Sequence, residues 1–146
     1  MNTYTSISLN ETAAIAHDWL QSTAKNPNTS GATIAGLSGH LGAGKTAFVK
    51  CVAKELGISE EVTSPTFVIM KIYPIEHAIW KKMIHIDAYR LENPEELKAI
   101  NFNEMASDPK NLILMEWPEN VELYKVLPGA QGMNFELKGE VRHISF

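Results

Sequence analysis

Residues 39–46 read Gly-His-Leu-Gly-Ala-Gly-Lys-Thr, and the chemistry open to such an octet is the capture of a polyphosphate. It matches the phosphate-binding pattern G-x-x-x-x-G-K-[ST] in full. Glycine at Gly39, Gly42 and Gly44 lets the backbone come close to a ligand. The loop N–H groups, that of Ala43 among them, then converge on phosphate at the positive end of the helix that follows. Lys45 brings charge to the outer phosphates, and the Thr46 hydroxyl is placed to ligate Mg2+.

A metal at such a loop needs a carboxylate partner, and two are available. Leu112-Ile113-Leu114-Met115-Glu116 is an apolar run that ends in an acid, and Ile84-His85-Ile86-Asp87 is a second. An acid at a strand end beside a phosphate loop holds Mg2+, often through water, or orients the attacking water. The sequence leaves open which acid does which. Ser64-Pro65-Thr66 offers a Thr66 hydroxyl of the switch-loop kind, although its spacing alone reads as a strand-initiating turn. Trp117 follows Glu116 and reads either as a core aromatic or as a stacking surface near the site. The turn made by Pro118 and Glu119 favours the surface. His17, His40, His77, His85 and His143 show no metal-ligand spacing.

These groups need elements to hold them. The loop is preceded by a short, mostly apolar run, residues 32–38, which reads as a buried parallel strand. It is followed by Phe48, Val52 and Leu56 at helical spacing, with Gly57 as the stop. Tyr4 to Leu9 predicts an edge strand, and Asn10 a cap for a helix to about Ala24. Residues 26–31 and 58–65 read as loops, 67–73 and 82–87 as strands. Asn93 and Pro94 open a further helix. Residues 111–116 form a buried strand, and 133–137 with 141–146 a terminal hairpin. Strands interleaved with helices predict an α/β fold in three layers. Its sheet is central and mostly parallel, and it ends in a β-hairpin, with the site at the carboxyl ends of the strands. At 146 residues the chain has the size of one domain, 1–146.

Composition narrows the function classes. The net charge of −4 and pI near 5.7 provide no strong basic field, so tight direct binding of nucleic acid is not expected. Cys51 is the single cysteine. No internal disulfide can form, and a reducing compartment fits. No long apolar stretch predicts a membrane span, and the N-terminus lacks the regions of a signal peptide. A cytoplasmic protein is expected.

Together, residues 39–46, Ser64-Pro65-Thr66-Phe67, His85-Ile86-Asp87-Ala88-Tyr89-Arg90-Leu91, Pro94-Glu95-Glu96-Leu97 and Glu116-Trp117-Pro118-Glu119 resemble the TsaE family. Its members are small ATPases that support bacterial tRNA threonylcarbamoyladenosine synthesis. The resemblance covers roughly residues 39–119. It implies a P-loop NTPase fold that binds ATP at Gly39, Gly42, Ala43, Gly44, Lys45, Thr46 and Ala47 and hydrolyses it slowly. It implies Mg2+ at Thr46 and Glu116, an essential Asp87, and a switch role for Thr66. It implies work in a complex with TsaB-type and TsaD-type proteins, with threonylcarbamoyl transfer on the latter. Two residues depart from the family pattern: His40 stands where Asp is usual, and Ala47 where a second Thr is common. The terminal hairpin matches loosely, so a base contact from Arg142 is not part of the expected site. The alternative is a stand-alone small-molecule or nucleoside kinase. Such an enzyme needs a lid with several arginines, and Arg90 and Arg142 are the only two in the chain.

Overall fold

A computed structural model describes residues 1–65 and 68–146. Among these, β1 (Thr3–Ser6), β2 (Thr33–Ser38), β3 (Met70–Pro74), β4 (Lys82–Asp87), β5 (Asn111–Glu116), β6 (Gln131–Lys138) and β7 (Val141–Ser145) form one sheet. Its order is β1-β7-β6-β2-β5-β4-β3. The centre, β6-β2-β5-β4, is parallel. The flanking pairs β3–β4, β6–β7 and β1–β7 are antiparallel. The α/β architecture with a parallel centre and a terminal hairpin is therefore present.

The parallel strands are buried on both faces, which is why they read as near-continuous apolar runs. One face packs under α1 (Leu9–Lys25) and α2 (Lys45–Glu55), with Trp19, Phe48, Leu37 and Leu114 in its core. The other face is covered by short elements: a 3₁₀ helix at Pro94–Ile100, α3 (Phe102–Ala106), a 3₁₀ turn at Pro118–Val121 and α4 (Leu123–Val126). Ile84, Ile86, Ile113 and Phe102 fill that layer. No helix among the described residues is long and apolar enough to cross a membrane.

Several local expectations are corrected. Helix α1 is capped by Ser8, not Asn10. The Ser8 hydroxyl accepts from the Glu11 N–H at 3.1 Å, and the Glu11 carboxylate accepts from the Ile7 N–H at 2.7 Å. The helix therefore starts two residues earlier than expected, with the Glu11 carboxylate reaching back to the residue before the cap. Strand β1 ends at Ser6, because the cap takes over the backbone there. Strand β3 begins at Met70 rather than 67. Ile69 holds φ +68°, a left-handed conformation that a β-branched residue adopts at a cost and a strand does not accommodate. Phe67 lies outside the described residues. Asn93 caps the segment at Pro94 as expected, but the segment is 3₁₀ and passes through left-handed Asn101 (φ +55°) into α3.

Candidate functional site

Parallel register sets the geometry of the site. Leu37 on β2 pairs with Glu116 on β5, and Glu116 pairs with Asp87 on β4. The end of β2, which feeds the glycine-rich loop, thus lies next to both acids. Such a set of adjacent carboxyl ends is where α/β sheets hold ligands.

The loop between β2 and α2 is built for close approach. A Cβ on Gly39 would meet the Phe135 carbonyl oxygen at 2.4 Å. Gly44 holds φ +107° and a Cβ there would stand 3.1 Å from Arg142 Cδ and 3.2 Å from Nε. Larger residues at either place would move the loop. Gly44 also caps α2 without any side-chain hydrogen bond, and the first turn of α2 contains no acid. The orphan N–H groups and positive pole of an eleven-residue helix are left for an anion.

Lys45 is 5% exposed. Its Nζ donates to the Gly39 carbonyl and, at 3.3 Å, to that of His40. The same Nζ lies 4.0 Å from the centroid of the Trp117 ring, a cation–π distance. Burial lowers the Lys45 pKa, while Glu116, Glu119 and Asp87 oppose that shift. An ammonium that has lost hydration gains most from an incoming anion.

Thr46, at the second position of α2, donates its hydroxyl to both oxygens of Glu116, at 2.9 and 3.0 Å. That leaves the hydroxyl lone pairs for a cation. A hard oxygen set of one hydroxyl and one carboxylate, completed by phosphate and water, is what Mg2+ takes. Among the described residues, no group of three or more His, Cys, Asp and Glu could hold a metal on its own. The protein contribution here fits a metal that is shared with phosphate. Asp87 is 4% exposed. One of its oxygens accepts from the Tyr89 N–H at 3.0 Å and the other from the Ser64 hydroxyl at 3.2 Å. Thr66, the expected switch hydroxyl, lies outside the described residues.

The expected loop residues, Glu116 and Asp87 are brought to one end of the sheet. Ala43 is buried beneath the loop. Ala47 lines, with Thr46, a groove of about 690 Å³ between the start of α1 and the outer side of α2, walled also by Leu9, Ala13, Lys50 and Cys51. A separate cavity of about 300 Å³ lies at the start of β2, beside Asn28 and Leu127, away from these groups. Trp117 is half-buried, held at φ +60°, and 5.1 Å from the Tyr89 ring. Its ring faces Lys45 and packs against the layer of Ile84, Ile86 and Phe102, whereas Trp19 and Trp80 are fully buried.

Three contributions escaped the sequence reading. His85 is fully buried and bonded to Glu116 at 2.6 Å. Glu119 accepts from the Ser38 hydroxyl at 3.0 Å and so ties the turn after β5 to the loop. Arg142 reaches from β7 to Gly44, and among the described residues no carboxylate pairs with it. The signal for His85 was its alternation with Met83 and Asp87 on one face of β4. No local signal in the hairpin points Arg142 at the loop.

The family model for "Threonylcarbamoyl adenosine biosynthesis protein TsaE" matches residues 6–144. A "tRNA threonylcarbamoyladenosine biosynthesis protein TsaE" of Borreliella burgdorferi is 42% identical over 83 residues, 57% of this chain and 58% of its own length. A protein so described from Rickettsia felis is 34% identical over 109 residues, 74% of this chain and 60% of its own. The matched stretch thus spans less than two thirds of either relative. Among solved structures, the crystal structure of Bacillus subtilus YdiB shares the fold, with a TM-score of 0.66 and 24% identity over 98% of this chain and 82% of that one.

Proposed function

The chain belongs to the TsaE family of threonylcarbamoyl adenosine biosynthesis proteins, and from that premise we propose that it binds ATP with Mg2+ and hydrolyses it slowly. It does so as an accessory to the formation of threonylcarbamoyladenosine in tRNA, together with TsaB-type and TsaD-type proteins. The observation that carries the reading is the bond from Thr46 to Glu116. It joins the loop hydroxyl to the strand-end acid beside a helix N-terminus with unfilled N–H groups.

Each residue then has a task. The N–H groups of the loop and of Lys45 and Thr46 hold the phosphates. Lys45 exchanges its bonds to the Gly39 and His40 carbonyls for phosphate oxygens. Arg142 brings a second cation to the edge of the loop. The groove beside Thr46 and Ala47 takes the nucleoside. Thr46 and Glu116 would hold Mg2+, which when bound would supply positive charge to offset the charge developed on the transferred phosphoryl group. Asp87 orients the attacking water, with its carboxylate steadied by the Tyr89 N–H and the Ser64 hydroxyl, and Thr66 is assigned the switch hydroxyl that the family resemblance implies.

Phosphate release from ATP with Mg2+ and no acceptor tests this reading, with and without the TsaB-type and TsaD-type proteins. Slow release that the partners accelerate is expected. Glu116→Gln and Asp87→Asn should each lower it by two orders of magnitude or more, on the order of what is lost when a stabilising group of the transition state is removed. Parental turnover in Asp87→Asn would remove Asp87 from the mechanism. Phosphorylation of an added nucleoside instead of phosphate release would mark a kinase.

A further inference from the structure

His85 lies two residues behind the two acids in register, on the same face of β4 as Asp87. On β4 it pairs with Leu114 of β5, while Asp87 pairs with Glu116. Met83, Ile84 and Ile86 around it in the strand are apolar and fully buried. Imidazole in that position is an expensive choice for a core residue, because a polar ring loses its hydration there. Its Nδ1 has no hydrogen-bond partner among the described residues. Its one polar contact among them is Nε2 to Glu116 Oε2, at 2.6 Å, shorter than an ordinary N–H···O bond.

That contact breaks the symmetry of the carboxylate. The Thr46 hydroxyl reaches both oxygens of Glu116 almost equally, at 2.9 and 3.0 Å, and so fixes neither. His85 engages Oε2 alone. A carboxylate acceptor requires the proton on Nε2, so the ring donates from below and anchors Oε2. Oε1, whose one protein donor among the described residues is Thr46, carries no bond to the ring. A partner that orients a metal-holding carboxylate typically changes metal affinity about 10–100-fold when removed.

We propose that His85 is a positioning residue for the metal site: it fixes the rotation of Glu116 so that Oε1 is offered, beside the Thr46 hydroxyl, to the divalent cation that accompanies the nucleotide. The inference rests on the ATP and Mg2+ reading of the site. His85 acts through Glu116 and touches neither phosphate nor the attacking water.

The test measures ADP affinity by calorimetry in EDTA and in Mg2+, and Mn2+ binding to the protein–ADP complex by electron paramagnetic resonance. The proteins are the parent, His85→Gln, His85→Asn and His85→Met. Glutamine brings an amide N–H to about where Nε2 stands, asparagine falls short of Glu116, and methionine fills the apolar surroundings without a donor. The expected result is that His85→Gln keeps the gain in affinity that the metal confers. His85→Asn and His85→Met lose about tenfold or more of it, with metal-free affinity unchanged. Should asparagine prevent folding, the methionine variant carries the comparison. Combining either donor-free variant with Glu116→Gln should cost nothing beyond Glu116→Gln alone, because both act on one group. Retention of the metal-dependent gain in the donor-free variants overturns the proposal, as does an equal loss with and without metal. Additive losses with Glu116→Gln also overturn it. A parent protein with no metal-dependent gain overturns the site reading itself, and that outcome is visible before any variant is made.

Discussion

Trp117 shows how one residue can be constrained from two sides. Its backbone takes φ +60° because the chain leaves β5 and enters the Pro118–Val121 turn at once, and its N–H still donates to the Leu37 carbonyl at 3.1 Å. Its ring is thereby laid over the Lys45 ammonium. A cation–π contact of this kind is worth about 0.5–2 kcal/mol depending on desolvation, enough to bias the lysine but not to hold the fold. Trp117→Ala is therefore expected to cost far less stability than the roughly 3–5 kcal/mol of a core Trp→Ala change. It should impair turnover or complex formation instead. Thermal melts and phosphate release decide it: a large fall in melting temperature with normal activity per folded molecule would assign Trp117 to the core. The loop residues and the two acids were legible because each has a local signature. The Glu116–His85 bond was not, because alternation gives the face of β4 but not its register against β5.

At the scale of elements, α1 and α2 lie side by side over the sheet, and one exposed pair ties them. His17 Nδ1 is 2.9 Å from Glu55 Oε2. The hydrogen bond to Glu55, then the charge of Glu55, raise the His17 pKa above its ordinary 6.5. A raised folded-state pKa means that the stabilisation is complete below the unfolded value and is lost as pH rises through the folded one. The parent should therefore melt above His17→Gln below pH 6.5, and the difference should vanish as the solution becomes alkaline. Salt should shrink it, because the pair faces solvent. A difference that grows with pH would show that the pair is not what His17 contributes. Most elements could be read in the sequence. Residues 82–87 and 111–116 were expected as strands and occur with those bounds. Their apolar runs are long enough to be unambiguous, and an acid ends each. The early end of β1, the cap at Ser8 and the late start of β3 were missed, because two cap-forming residues compete near Leu9 and because the Ile69 turn runs against β propensity.

At the scale of the whole molecule, strand order does the decisive positioning. The sequence suggested strands alternating with helices, and so a parallel sheet, but β2 lying between β6 and β5 is a long-range fact with no local signature. That order sets the loop beside Glu116 and Asp87 on one flank. On the other flank the β6–β7 hairpin carries Phe135 under Gly39 and Arg142 against Gly44. The terminal hairpin thus walls the loop. The central claim, that this end of the sheet is an ATP and Mg2+ site served by Lys45, is tested most directly by calorimetric titration of ATP with Mg2+ into the parent and Lys45→Ala, with thermal melts of both. The parent should bind, and the variant should bind at least about tenfold more weakly, since a hydrogen bond to a charged group is worth roughly 1.5–3 kcal/mol and about 1.4 kcal/mol is tenfold. Its melting temperature should stay close to that of the parent, because Lys45 bonds loop carbonyls and fills no core. A parent that does not bind ATP, or a variant that binds it equally well, would contradict the account.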